Sequence, residues 1–486
     1  MYSQQRKAIY HVIVCSLLNI ASFQTSAQHY TPKIEPCPCL LKAAPGLIMR
    51  CGYLVVPENR KDPKNKNVVK IPFVFARQPG MDSTKNITLV TTGGPGYSTI
   101  NPGDSISYNS GRFRYGGFIS FNQRGVKNSI PCLDCPEVEA SKRNSLIKGT
   151  SEEKEEIEAI KKCRDRLIRQ GIDLNAYTTI ESAADIEDLR KTLRIESLTL
   201  YGWSYSGGLM LTVARNYPGG IKSLLLDSPL PGFVNYEEQA LFNHNEALDE
   251  FFDSLEADSL RNKTYPDLRT RFRQYFTALN SKEFNADVLI DSQVYKIKYG
   301  KQELLDLVID RLNASQYREI PDLLTRFFTG NFEPYISDYL NNRLAGNHSL
   351  SHGMRYSVYC SEQISYASKA KVHEQEKILP WFSNYRFNNV DHAICDCWNV
   401  KPEEPVAKTF VYSNIPVLIT GGKIDPWCRP FYYYAIKRTM PNAQILLFKN
   451  RGHIAGFGTE DHNFLDDFMK DPYKKIISYS SEAEVH

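Results

Sequence analysis

The stretch Leu198-Thr-Leu-Tyr-Gly-Trp-Ser-Tyr-Ser-Gly-Gly208 constrains the fold of this chain more than any other. A strand-like run at 198–201 turns within a few residues into a helical pattern at 206–216, and a second strand-like run follows at 222–226. A helical pattern at 181–193 precedes them. Strand, helix, strand in close succession is a βαβ unit, which requires a parallel sheet and a right-handed crossover. Only a tight turn fits between the first strand and its helix, so a side chain in that turn stands above the carboxyl edge of the sheet.

The rest of the chain fits around that unit. Strand-like runs rich in β-branched and aromatic residues stand upstream at 53–56, 68–76, 87–91 and 117–121. A helical stretch at 151–168 carries Glu152-Glu-Lys-Glu-Glu156, which reads as a solvated face. From 231 to 407 clear strand alternation is lacking, and helical patterns occur at 249–260, 302–312 and 320–328. Alternation resumes with a strand at 417–420, a helix near 429–439, a strand at 444–448 and a last helix at 460–469. One sheet interrupted by an insertion accounts for this order: residues 28–230 form the first part of the core, 231–407 a helical cap, and 408–486 the second part.

Residues 1–27 read as a signal peptide, with Arg6 and Lys7 at its basic end, an apolar run at 12–23 and the small residues Thr25-Ser26-Ala27 at the cleavage site. That run, interrupted by Ser16 and Asn19, is too short to span a bilayer comfortably. A secreted or periplasmic protein with no stable membrane insertion after cleavage is therefore expected. Cleavage removes two basic residues and no acid, so the formal charge falls from +4 to +2, which is no footprint for nucleic acid. Of 11 cysteines, Cys15 leaves with the signal, and the others predict several disulfides in an oxidising compartment. Local order suggests Cys37 or Cys39 with Cys51, Cys132 or Cys135 with Cys163, and the remainder among Cys360, Cys395, Cys397 and Cys428. Cys132 and Cys135 have the spacing of half a zinc site, but no second pair of Cys or His stands at a suitable distance.

Ser204 occupies the turn of the βαβ unit, where a nucleophile elbow needs its serine. Gly202 satisfies the demand for a small residue two positions before it; Ser206 stands where glycine is usual two positions after, which makes it a rival nucleophile. A nucleophilic serine needs a base, and the base needs a third group to fix its tautomer. Asp425 follows the strand at 417–420 and His453 follows the strand at 444–448, giving the order Ser, acid, His. His462 is the nearest rival base, but its place in the last predicted helix is unfavourable. Thr92-Gly-Gly-Pro-Gly-Tyr-Ser98 follows the strand at 87–91 and can turn backbone N–H groups toward an oxyanion; Gly94, or Gly93, supplies one and Tyr205 the other. These features together predict an α/β class chain with the α/β-hydrolase fold, a mostly parallel sheet flanked by helices with an inserted helical cap. Such a site needs no metal and no organic cofactor.

With these residues in place, the chain resembles the prolyl iminopeptidase and tripeptidyl aminopeptidase family of secreted serine exopeptidases. The resemblance rests on Cys51-Gly-Tyr-Leu-Val-Val-Pro57, Gly93-Gly-Pro-Gly96, Gln123-Arg-Gly125, Tyr177-Thr-Thr179 with Ala183-Ala-Asp185, Tyr201-Gly-Trp-Ser-Tyr205, Asn216-Tyr-Pro218 and the segments around Asp425 and His453. Two positions depart from the family pattern. Asn122 replaces the usual Asp before Gln-Arg-Gly, an exchange able to weaken a structural hydrogen bond near the oxyanion loop, and Ser206 replaces the first glycine of Ser-Tyr-Gly-Gly. The resemblance implies an aminopeptidase acting on peptide substrates with a free N-terminus, whose ammonium is held by a cap carboxylate. Cys360-Ser-Glu362 resembles the family's Cys-x-Glu and makes Glu362 the candidate substrate-binding anchor. The same triad also suits a carboxylesterase or lipase, and the scaffold can serve a noncatalytic binding protein.

Overall fold

The computed structural model describes residues 30–43, 45–106, 113–290, 292–333, 335–387 and 390–486. The predicted signal segment, with Cys15, lies outside the described residues. Among the described residues no helix is long and apolar enough to cross a membrane.

The main sheet has ten strands: β1 Lys33–Pro36, β2 Ile48–Pro57, β3 Val68–Arg77, β4 Ile87–Thr91, β5 Gly117–Phe121, β6 Leu198–Trp203, β7 Ile221–Asp227, β8 Val417–Gly422, β9 Ala443–Phe448 and β10 Ala483–Val485. Their order across the sheet is β1-β2-β3-β5-β4-β6-β7-β8-β9-β10. The six strands from β5 to β9 pair in parallel, and the flanking pairings are antiparallel. Strands β4, β5 and β8 are buried along their whole length, as parallel strands covered on both faces must be. Their apolar side chains join those of the helices Thr179–Thr192 and Tyr205–Asn216 in the principal core.

Strand order reverses between β4 and β6. The chain leaves β4 for β5 on one side and returns to β6 on the other, so the loops after β4 and β6 diverge from a common crevice at the carboxyl ends of the strands. Such a switch point is where open α/β sheets bind ligands. The register Thr91 opposite Gly202 brings the glycine-rich loop after β4 level with the turn holding Ser204.

The motifs Gln123-Arg-Gly and Ala183-Ala-Asp form one buried ion pair. Arg124 donates to both carboxylate oxygens of Asp185, at 2.7 and 2.8 Å, and to the carbonyls of Glu58 and Ala176. Arg60 pairs with Asp185, Glu181 and Asp188 from the outer side. Every donor edge is occupied, which is the condition for holding such charges out of water.

Between β7 and β8 lies a largely helical segment with its own apolar cluster, including Phe251, Phe272, Leu305, Leu324 and Phe382. It is not wholly helical, as the sequence had suggested: strands Phe284–Ile290 and Gln293–Tyr299 form an antiparallel hairpin. Ala286, Val288 and Ile290 face inward while Asn285, Asp287 and Leu289 face solvent. The helix predicted at 249–260 starts earlier, as Ala240–Ala257, and stops at Asp258, whose carboxylate accepts from Leu260 and Arg261 N–H and opens the next helix. The last predicted helix is also shorter: it runs Phe464–Lys470 with Asn463 as its N-cap, which leaves His462 outside it.

Three disulfides form, Cys39–Cys51, Cys135–Cys163 and Cys360–Cys395, each within the alternatives that chain order allowed. Cys37, Cys132, Cys397 and Cys428 are free. The last of these is buried beside the site described next.

Candidate active site

Ser204 stands between β6 and the helix Tyr205–Asn216 with φ 55° and ψ −130°. That conformation costs a non-glycine residue on the order of 1–3 kcal/mol and persists only where surroundings enforce it. Here the Ser204 N–H donates to the carbonyls of Asp227 and Ser228, and its carbonyl accepts from the N–H groups of Gly207 and Leu230. A Cβ on Gly202 would lie 2.5 Å from the Ser206 carbonyl oxygen, so strand and helix approach this closely only around glycine. Ser206 is buried, and its hydroxyl both donates to the Trp203 carbonyl and accepts from the Trp203 N–H, at 2.9 Å each. It braces the turn from beneath, while Ser204 lines the cleft above.

Asp425 and His453 come together as the spacing predicted. His453 Nδ1 lies 2.9 Å from Asp425 Oδ2. The other carboxylate oxygen accepts from the N–H groups of Trp427 and Cys428, at 2.8 and 3.0 Å, so the acid is fixed in direction before the imidazole meets it. Below the acid, His244 Nδ1 is 2.7 Å from the Pro426 carbonyl, and burial lowers that imidazole to about 4, which keeps it neutral. The loop carrying the base is anchored by backbone: His453 N–H donates to the Asn313 carbonyl, Gly452 N–H to the Ser315 hydroxyl, and Ile454 N–H to the Ser228 hydroxyl. The Trp427 ring meets the imidazole edge to face, 4.9 Å between centroids. His462, by contrast, is half exposed and pairs with Asp467 at 2.7 Å.

The loop after β4 lies against this turn. A Cβ on Gly93 would come 2.6 Å from the Trp203 carbonyl and 3.0 Å from Ser204 Cβ. Gly94 has φ +118°, and both glycines line the cleft with Ser204 and His453. Side chains behind the loop fix it: Gln123 Nε2 donates to the Thr92 carbonyl, and the Thr92 N–H donates to the Thr99 hydroxyl. Asn122 does not weaken this region. Its Oδ1 accepts from the N–H groups of Thr99 and Ile100 at 2.8 and 2.9 Å, as a carboxylate would, while its Nδ2 donates to the Lys127 carbonyl.

The cleft over Ser204 has a volume of about 250 Å³ and walls that include Tyr97, Tyr236, Arg355, Tyr359, Phe387 and Trp427. Glu362 does not line it. That residue lies in a smaller adjoining cavity of about 20 Å³, room for one water-sized group, which is lined by Tyr205 and shares Leu230 and Tyr359 with the cleft. Glu362 accepts from the Thr179 N–H at 2.7 Å and the Thr179 hydroxyl at 2.6 Å, and the Thr179 hydroxyl is 2.8 Å from the Tyr205 phenol. Burial pushes the Glu362 carboxyl up to about 7, against the opposing effect of these hydrogen bonds. Nearby, burial lowers Lys408 to about 8 while its Nζ donates to the carbonyls of Val234 and Glu362.

Three further groups at this site carry no sequence motif. Asp227, at the end of β7, accepts from the Gly456 N–H, and burial pushes it up to about 6 close to His453. The buried Cys428 thiol is within hydrogen-bonding reach of Ser204, and its burial raises it well above the ordinary thiol range. Arg355 reaches the cleft from the helix His352–Glu362 and donates to the Gly94 carbonyl at 3.3 Å. Arg355 stands seven residues before Glu362, a helical spacing by which it could have been found once Glu362 was singled out. Ligand atoms of Asp425, Cys428 and His453 lie within 4.8 Å of one another, among the described residues the one such group. The hydrogen bonds already described occupy both oxygens of its acid and the Nδ1 of its imidazole.

The profile of the family described as alpha/beta hydrolase fold matches residues 89–458. The putative hydrolase YuaR of Escherichia coli K12 is 26% identical over 312 residues, 61% of this chain and 59% of that protein. The chain therefore aligns with less than two thirds of that relative's length. Serine protease Hip1 of Mycobacterium tuberculosis H37Rv is 20% identical over 413 residues, 77% of this chain and 76% of that protein. Tripeptidyl aminopeptidase of Streptomyces lividans is 24% identical over 196 residues, 37% of this chain and 35% of that protein.

Proposed function

The chain belongs to the alpha/beta hydrolase family, and from that premise we propose that it is a secreted serine aminopeptidase that cleaves peptide bonds near the free N-terminus of oligopeptides. The observation that carries the reading is the strained Ser204 sharing one cleft with His453, whose far nitrogen is bound to a fixed Asp425.

In the reaction, His453 takes the Ser204 hydroxyl proton as the oxygen attacks the scissile carbonyl. The N–H groups of Gly94 and Tyr205 receive the oxyanion, and the enforced turn means that little reorganisation is needed as charge develops. The tetrahedral intermediate collapses to an acyl-enzyme as His453 returns the proton to the leaving amine. His453 then activates a water that releases the N-terminal fragment. Asp425 holds the imidazole in the tautomer that presents a lone pair to Ser204 throughout.

The aminopeptidase assignment draws on Glu362. A carboxylate in a cavity for one small group, next to the residue that follows the nucleophile, suits a substrate ammonium. A cation arriving there favours the ionised carboxylate and lowers its pKa. The distant relatives named as a serine protease and a tripeptidyl aminopeptidase agree with peptide chemistry. Export is supported by the three disulfides and by the N-terminal sequence pattern.

The test uses peptides with free or acetylated N-termini, incubated with the enzyme and its Ser204→Ala and Glu362→Gln variants, with products identified by mass. Cleavage of free peptides only, abolished in Ser204→Ala and indifferent to acetylation in Glu362→Gln, is expected. Ester hydrolysis without peptide cleavage by the unaltered enzyme overturns the peptidase assignment in favour of an esterase.

A further inference from the structure

Three successive carbonyls of the loop that carries Asp425 are tied to one helix of the inserted segment, Ala240–Ala257. His244 Nδ1 donates to the Pro426 carbonyl at 2.7 Å, and Asn243 Nδ2 donates to the Trp427 carbonyl at 3.2 Å. Arg429 holds the third: its Nη1 donates to the Asp425 carbonyl at 3.0 Å, while its Nε pairs with Glu246 at 3.3 Å. Asn243 and His244 are both buried. A carbonyl only accepts, so the His244 proton sits on Nδ1; its Nε2 is buried with no partner among the described residues. The imidazole is wedged among Phe382, Tyr385 and Phe387, at 6.1, 5.8 and 4.6 Å between centroids, which fixes its plane. Asn243 Nδ2 also donates to the Tyr432 hydroxyl at 2.9 Å, and that hydroxyl donates to Gln239 at the start of the same helix.

We infer that Asn243 and His244 are positioning residues that aim the acid of the triad through two peptide planes. The inference rests on the reading of Asp425 and His453 as members of that triad. The Pro426 carbonyl and the Trp427 N–H are the two ends of one peptide unit, and the Trp427 carbonyl and the Cys428 N–H are the ends of the next. Each unit is rigid and planar with its ends pointing in opposite directions, so holding the carbonyl sets the direction of the N–H. Those two N–H groups are the ones that clasp one oxygen of Asp425, at 2.8 and 3.0 Å, and leave the other facing His453 Nδ1 at 2.9 Å. Adjacent side chains on one helix thus grip both handles of the clasp. Loss of either donor lets its plane turn and the carboxylate turn with it, and the imidazole then spends less time aligned for proton transfer from Ser204. Neither residue lines the cleft, so the effect falls on kcat and spares KM.

The test compares His244→Phe, which keeps a ring and removes the donor, with His244→Asn, whose amide nitrogen stands as many bonds from the backbone as Nδ1, and with Asn243→Leu. Each substitution is made in the unaltered enzyme and in Asp425→Asn. Turnover of a nitrophenyl ester is referred to sites titrated with a serine-directed phosphonate, and circular dichroism checks the fold. The expected result is a fall in kcat of about tenfold or more in His244→Phe and in Asn243→Leu, with KM within about twofold and most of the loss recovered in His244→Asn. Combined with Asp425→Asn, the same substitutions change kcat by less than about twofold, because an acid that no longer fixes the imidazole has nothing left to aim. Equal falls in both backgrounds, an unchanged kcat, or a loss carried by KM overturn the inference. Where His244→Phe does not fold, Asn243→Leu decides by the same comparison. A fall of less than about tenfold in Asp425→Asn alone means that the triad reading has failed and takes the inference with it, whereas a large fall there without coupling to either residue sinks the inference by itself.

Discussion

Replacing Glu362 by Gln separates the energetic cost of a buried carboxylate from its use in binding substrate. The group is buried, and its carboxyl is pushed from an ordinary 4.5 to about 7 in the folded protein. The folded state therefore holds the proton across a pH range in which the unfolded chain has released it. The neutral carboxyl contributes stability that is fully present below the unfolded value and is lost as pH rises through the folded one. Between pH 5 and pH 8 the two values give a loss of about 2.5 kcal/mol from this residue alone. The Gln variant does not titrate. Its amide oxygen accepts from the Thr179 N–H as the acid does, and mispairing at the Thr179 hydroxyl costs about 1 kcal/mol at either pH. Urea unfolding of both proteins at pH 5 and pH 8 gives the comparison directly, because the remaining titrating groups are common to both. The unaltered enzyme is expected to lose about 2.5 kcal/mol more than the variant over this interval. Equal losses refute the argument, since they mean that the carboxyl at this position titrates alike in folded and unfolded chains.

Two other substitutions test the chemistry from opposite sides. Asp425→Asn keeps the oxygen facing the Trp427 and Cys428 N–H groups but turns an NH₂ toward His453 Nδ1, which forces the wrong tautomer. A fall in kcat of about 10⁴-fold is expected without loss of fold, measured by ester turnover and circular dichroism, and a fall under tenfold contradicts the assigned role. Ser206→Ala removes a buried hydroxyl that bonds only the Trp203 backbone, so it should cost about 1 kcal/mol of stability and retain the Ser204 burst of acyl-enzyme; loss of the burst would point to the wrong nucleophile.

What could be read from the sequence was local in the chain or fixed in order along it. The turn at Ser204 declares itself because a strand and a helix must meet there around Gly202, and Asp425 and His453 follow from the strands that precede them. The hairpin at 284–299 buries Ala286, Val288, Ile290, Ile297 and Tyr299, but the apolar Leu289 and Val294 face solvent, so its apolar residues do not alternate cleanly along the chain. The last helix starts later than the 460–469 expected because the Asn463 side chain accepts from the Leu465 N–H and opens it. Strands β1 and β10 have four and three residues, too few for a periodic pattern to emerge. Arg355 and Asp227 belong to no motif, and their importance depends on which elements the sheet order brings together. The departure at Asn122 looked harmful because a charge was missing, whereas its neighbours ask only for an acceptor.

The bonds from Asn313 and Ser315 to the loop of His453 have a mechanical meaning. The inserted segment is a buttress for the base, so swinging it aside like a door would take away the support that aims the imidazole. An opening wide enough to admit a folded protein would disarm the enzyme at the same moment. On the proposed reading, substrates are slender chain ends that thread past the aromatic walls while the buttress stays in place.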